Sequence, residues 1–241
     1  MVGHGQFCAV ARAHELLGGR WTLLVVRELL CGSRRFNDIR RGIPRISRTM
    51  LSERLQALAL AGVVVRSDGP HGPEYALTEA GTELMGLVAA LGSWGQRWLP
   101  RQAAAEDLDP DPLFVDMQRR VRTVALPADP LVVRLALHGL RPRFLLLKAA
   151  EAAVCTHNPG FPEPLCVRGP LSALVAWWRG DAGFAEAQRM GLAVDGPRPL
   201  ARAFPGWFDR YLFAGVPPAT TPPTTPGAAP VPAPDATEPV P

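Results

Sequence analysis

Lysine is nearly missing from this chain: Lys148 is the single lysine, and arginine carries all the other strong positive charge. No stretch approaches the roughly 20 uninterrupted apolar residues that span a bilayer, and the opening MVGHGQFCAV lacks a basic segment followed by an apolar core. The expectation is therefore a cytoplasmic protein with no membrane-spanning helix, no secretory leader and no membrane partner. Cysteine occurs four times, as Cys8, Cys31, Cys155 and Cys166, with no Cys-x-x-Cys pair, so neither a zinc site nor a disulfide framework is indicated. No phosphate-binding loop, no G-x-S-x-G elbow and no His pair at metal-ligand spacing occur. Gly3-His4-Gly5 lacks the third glycine and the preceding strand of a dinucleotide fingerprint. Asp107, Asp109 and Asp111 alternate as calcium ligands do, but without the loop glycine and terminal glutamate. The expectation is therefore a protein that is not an enzyme, with no catalytic residue, no cofactor and no metal.

What is present is enough apolar material for real cores: 241 residues, 47% hydrophobic, suit one large or two ordinary domains. The charge is unevenly placed. Residues 1–100 hold 12 Arg against 8 acidic residues, whereas residues 101–241 are balanced at 14 of each sign. Between Arg20 and Arg66 ten Arg face only Glu28, Asp38 and Glu53, a local excess of +7. Such concentration is the electrostatic footprint of a nucleic-acid contact surface, although an arginine-rich solvated face gives the same count.

Composition also suggests boundaries. Residues 216–241 are Pro, Ala and Thr without an aromatic, too poor in apolar bulk to offset chain entropy, and are expected to be a disordered tail. Residues 101–112, RQAAAEDLDPDP, read as a linker. That leaves domains at 1–100 and 113–215.

The first of these has a legible order. Phe7 to Leu17 carries helical spacing and ends at Gly18-Gly19; Trp21 to Leu30 is a mostly apolar helix; Arg35 to Arg41 is a short one before the Gly42-Ile43-Pro44 turn. Ser47 is a plausible N-cap for a helix to Ala61 on which Leu51, Leu55 and Leu58 share a face. Val63 to Ser67 and Tyr75 to Leu77 form a hairpin around the loop DGPHGPE, and a last helix runs from Thr78 to about Trp98. Three core helices followed by a two-stranded hairpin is the winged helix-turn-helix order, in which the third core helix, here Ser47 to Ala61, enters the major groove of double-stranded DNA. The outward side of that helix offers Thr49, Ser52 and Gln56, with Arg45, Ser47 and Arg48 at its leading end. Arginine can fork onto guanine or pair with phosphate, and glutamine can pair with adenine. Arg34, Arg35 and the hairpin's His71 are expected on backbone phosphates.

These segments also carry a resemblance. CAVARAHELLGGRWTLLVVRELLCGSRRFNDIRRGIPRISRTMLSERLQALALAGVV followed by YALTEAG is similar to the HxlR family of bacterial transcription regulators, over roughly Cys8 to Trp98. The resemblance implies a homodimer whose interface is formed by the last and first helices. The stripe of Leu84, Leu87, Val88, Leu91, Trp94 and Trp98 is broader than a small domain needs, which points the same way. Cys8 matches a cysteine that some members use to sense oxidants or electrophiles; simple packing of a small thiol is the competing reading.

In residues 113–215 a helix with Leu113, Met117, Val121 and Val124 on one face precedes four strand-like segments, LVVRLAL, RFLLLK, EAAVCTH and PLCVRG, and then helical pieces. Strands first and helices later indicate helices packed on one face of a sheet, making the whole chain α+β. The spacing of NPGF, WWRG, RMG and LAVDGPRPLARAFPGWF resembles a sterol-carrier-protein-like domain. That resemblance implies a hydrophobic small-molecule ligand, with Phe144, Trp177, Trp178, Phe184, Met190, Phe204 and Trp207 lining its cavity; the same side chains could instead fill a solid core. The combined expectation is a DNA-binding transcription regulator modulated by such a ligand. The alternatives are a lipid carrier that uses the helix-turn-helix to dimerise, and a regulator switched through the Cys8 thiol.

Overall fold

The structure is a computed structural model that describes residues 5–70, 72–99 and 109–219. The expectations for His71, for most of the 101–112 linker and for most of the 216–241 tail lie outside those residues.

The N-terminal half contains helices α1 (Ala9–Leu17), α2 (Thr22–Leu30), α3 (Phe36–Gly42) and α4 (Arg48–Leu60), strands β1 (Val64–Gly69) and β2 (Gly72–Leu77), and the long helix α5 (Glu79–Trp98). Its core is Val25, Val26 and Leu29 of α2, Ile39 of α3, Leu51, Leu55 and Leu58 of α4, and Ile43 and Ile46 of the α3–α4 turn, with Val63 and Val64. The i, i+4, i+7 leucines of α4 fall on its buried side because 3.6 residues per turn bring those positions into register. Thr78 caps α5: its hydroxyl accepts from the Gly81 N–H and donates to the Gly62 carbonyl. Trp21 holds a left-handed φ of 77° at the N-cap of α2, and the Arg20 guanidinium stacks over its ring at 4.8 Å.

The hairpin is longer than DGPHGPE suggested. Its ladder runs from Val64 opposite Leu77 out to Gly69 opposite Gly72, so only positions 70 and 71 connect the strands. Gly72 follows that connection at φ +106°, a backbone conformation glycine takes without steric cost. Arg35 bridges Glu74 on the other edge of β2, and the Tyr75 N–H donates to the Arg34 carbonyl at 2.7 Å.

The C-terminal half opens with α6 (Pro110–Arg119), which begins three residues earlier than the apolar pattern predicted. Pro110 sits in the first turn, where its missing N–H costs nothing, and the Asp109 carboxylate accepts from the Asp111 N–H. Val121 and Val124 do not continue the helix: Val121 bridges Phe208, and Val124 is exposed. A mixed five-stranded sheet follows, built from β3 (Leu131–Leu137), β4 (Arg143–Leu147), β5 (Ala152–Cys155), β6 (Leu165–Gly169) and β7 (Ala193–Asp195) in the order β5-β4-β3-β6-β7. Only β3 and β6 run parallel. Helices α7 (Leu171–Arg179), α8 (Phe184–Arg189) and α9 (Arg198–Ala203) complete it. Alternation puts Leu131, Val133, Leu135, Leu145, Leu147, Leu165 and Val167 on the face shared with Phe114, Met117, Leu174 and the tryptophans. The chain is α+β.

Side-chain contacts join the halves. Arg119 of α6 donates to the buried Glu28 of α2 and to Ser33; Gln96 of α5 exchanges hydrogen bonds with Arg179; and the Phe213 ring lies against Gly92, where a Cβ would occupy its place.

Candidate nucleic-acid interface

Ser47 Oγ accepts from the Met50 N–H at 3.1 Å, which starts α4 with one of its orphan donors satisfied. From that cap the helix turns Ser47, Arg48, Thr49, Ser52 and Gln56 outward, and all five are exposed, as is Arg45 before it. The buried leucines fix this orientation, so the polar edge cannot rotate inward without exposing three large side chains, each stabilising by about 1.5–3 kcal/mol. Arg34 and Arg35 are also exposed, on the segment tied to β2, and Arg35 Nε lies 3.6 Å from a Glu74 carboxylate oxygen.

The arginine excess of this half is not all available to a partner. Arg27 donates through Nε and Nη2 to Glu28 and through Nη2 to the Gly42 carbonyl, so it serves the interior. Four of the others, Arg35, Arg40, Arg41 and Arg48, line two concavities along α3. A cavity of about 450 Å³ is lined by Asn37, Arg40, Arg41, Pro44, Arg48 and Asp111, and one of about 340 Å³ by Arg35, Phe36, Asn37, Asp38, Arg41 and Pro73. Asn37 and Arg41 line both, so a basic concave strip runs from the hairpin across α3 to the start of α4. Sequence reasoning missed Asn37, Arg40 and Arg41. The +7 excess contained them, but a seven-residue helix gave too little periodicity to say which of its residues face outward.

The residues expected to line a ligand cavity behave differently. Trp177, Trp178, Phe204 and Trp207 are buried, and Phe184 joins them. Trp177 lies 5.8 Å from Trp178, 5.3 Å from Phe184 and 5.9 Å from Phe204, and Phe204 lies 5.9 Å from Trp207, mostly edge to face. Such spacing is that of aromatic rings in direct contact. The Trp178 indole N–H donates to Asp116 at 2.7 Å. Two of the seven do not join this cluster. Met190 follows α8 and is 45% exposed. Phe144 stands on β4 opposite Arg134 and Cys155. Alternation from Leu145 and Leu147 therefore turns it to the other face of the sheet. Cys8 is half-buried at the N-cap of α1, with no side-chain capping hydrogen bond.

Met85, Leu87, Leu91, Trp94 and Trp98 of α5 are exposed, and so are Phe7 and Val10 at the start of the chain. Leu84 and Val88, from the same predicted stripe, pack instead against the N-terminal core. No described helix is long and apolar enough to cross a membrane.

The sequence profile described as HxlR-like helix-turn-helix matches residues 16–103. A helix-turn-helix-type transcriptional regulator of Mycobacterium tuberculosis is 46% identical over 98 residues, 39% of this chain and 60% of the relative. This chain thus spans about three-fifths of the length of that relative. The regulator YvaP of Bacillus subtilis is 37% identical over 108 residues, 44% of this chain and 90% of the relative. Among solved structures, the reduced form of the transcriptional regulator YodB from B. subtilis shares 33% identity, covering 41% of this chain and 100% of that one, with a TM-score of 0.36.

Proposed function

Since this chain belongs to the HxlR family of helix-turn-helix proteins, we propose that it is a DNA-binding transcription regulator in which α4 reads base edges in the major groove. The observation that carries the reading is the exposed polar edge of α4, rotationally locked by Leu51, Leu55 and Leu58 and led by Arg45 and Arg48. In this proposal Arg48 and Gln56 read bases, with Ser47, Thr49 and Ser52 beside them. Arg34, Arg35 and His71 hold phosphates on the hairpin side. The units are residues 1–100 for DNA and dimer contacts and 113–215 for the α+β part, joined by 101–112 and followed by a tail from 216.

The working form in this reading is a homodimer, because the exposed Leu87, Leu91, Trp94 and Trp98 form one face of a helix that four glycines weaken and packing must hold. For the C-terminal part, ring-on-ring packing favours a filled core over a sterol-carrier-like cavity; its role is then to brace α2 and α5. A ligand-responsive unit predicts a thermal shift with long-chain fatty acid, and the braced reading predicts none. A thiol switch would act through Cys8, and loss of an oxidant response in Cys8→Ser is its test. The regulator reading is tested by comparing variants on a duplex from upstream of the protein's own gene. Gln56→Ala should relax sequence preference, whereas Arg34→Ala should weaken all sequences alike. Identical behaviour of the two variants would contradict the placement of α4.

A further inference from the structure

The larger basic cavity has a wall that no helix-turn-helix segment supplies: Asp111, from the first turn of α6. We propose that this groove between α3, the start of α4 and α6 is a phosphate-binding site, completed by the C-terminal half of the chain.

The charges favour an anion. Arg40 lines the cavity half-buried, and its Nε is shut off from solvent with no acceptor among the described residues. A guanidinium drawn partly out of water without a carboxylate loses hydration that nothing in the fold replaces. Arg48, on the same cavity, has no ion-pair partner among the described residues either, and Arg41 has only Asp38, at 3.2 Å. The Asp111 carboxylate is held by Arg143 Nη2 at 3.3 Å, which leaves it little capacity to neutralise the groove. Four guanidiniums against two carboxylates leave two positive charges in a concave space of about 450 Å³. Forked N–H donors arranged around a cavity match the oxygens of a phosphate group, and Asn37 adds a neutral donor at the rim.

Two sources could supply that phosphate: a free phosphorylated small molecule, or the backbone of DNA bound by α4. A small molecule here would compete with DNA for Arg48, which makes the groove a place where an anionic metabolite displaces the operator. The DNA source rests on the regulator reading above; the free source does not.

The test uses the full chain and two probes at matched ionic strength: sodium pyrophosphate, followed by calorimetry, and the upstream duplex, followed by anisotropy across a salt series. Arg40→Met keeps the stem and removes the charge. Arg41→Met does the same at a well-exposed position, so a folding defect in the first variant leaves the second to decide. If the site takes free phosphate, pyrophosphate binds the wild type, and each variant weakens it about tenfold, the loss of one charge-assisted hydrogen bond. Asp111→Asn should tighten it. If the phosphate is DNA's, pyrophosphate does not bind, and each variant lowers the log–log salt slope by about 0.9 while sequence preference is kept. Pyrophosphate binding without DNA binding would uphold the groove and sink the regulator reading. DNA binding with a slope unchanged in both variants, and no pyrophosphate binding, would do the reverse.

Discussion

The contact between Arg119 and Glu28 gives the sharpest stability prediction. Glu28 is 2% exposed and is the one charged side chain among the buried residues of α2, beside Thr22, Val25, Val26 and Leu29. Its Oε1 accepts from Arg27 Nε at 3.1 Å and Nη2 at 2.7 Å, and its Oε2 accepts from Arg119 Nη2 at 2.7 Å. Gly42 closes the pocket, since a Cβ there would run into the carboxylate. Arg119→Met therefore leaves Oε2 without its donor in a space that water cannot readily enter, and it strands the Ser33 hydroxyl as well. Removing one partner of a buried ion pair costs about 3–5 kcal/mol. Because Arg27 still holds the other oxygen and Arg119 is itself about a quarter exposed, the expected loss is nearer about 2–3 kcal/mol, or a melting temperature lower by about 4–12 °C for a chain of this size. Chemical denaturation of the single variants Arg119→Met and Glu28→Gln and of the double variant reads the coupling directly, which should exceed about 1 kcal/mol for groups in contact. A loss from Arg119→Met that is the same in both backgrounds would refute the reasoning, as would a shift of less than about 1 °C, well below the 2–4 °C expected per kcal/mol.

Three other outcomes are expected. Ser47→Ala should cost about 1 kcal/mol by removing the cap of α4, measurable as a lower denaturation midpoint with an unchanged slope. Trp94→Glu places a charge in the exposed apolar face of α5, so sedimentation should show a dimer for the wild type and a monomer for the variant, and a wild-type monomer at micromolar concentration would remove the proposed interface. Burial pushes the Tyr211 hydroxyl above its usual pKa, with Arg27 opposing. A raised folded value means stability is fully present below the unfolded pKa of about 10 and is lost as pH rises through the folded one. Tyr211→Phe should flatten that alkaline decline, and an unchanged pH profile would exclude the cause.

Elements defined by local periodicity were the legible ones. The leucine spacing and Ser47 located α4, and the β-branched and leucine-rich runs located β3 and β4, because both signals act within a few residues. Features that depend on distant partners were not. Glu28 reads as one more charge in a basic segment until Arg119, far along the chain, is brought to it. Asp109 and Pro110 read as linker until the capping hydrogen bond shows them opening a helix. The sterol-carrier-like resemblance puts Phe144 with the tryptophans, yet strand alternation turns it to the other face of the sheet. The groove at Arg40 and Arg41 was hidden for the same reason, since its outer wall comes from α6.

In the proposed function, the polar edge of α4 and the arginines around it hold duplex DNA. The decisive experiment is titration of the full chain with the duplex from upstream of its own gene across a range of salt. Binding should show a steep log–log salt slope, about −0.9 for each phosphate neutralised, and Gln56→Ala should lose the preference for that duplex over a scrambled one. Binding insensitive to salt, or no binding at low salt, would contradict it.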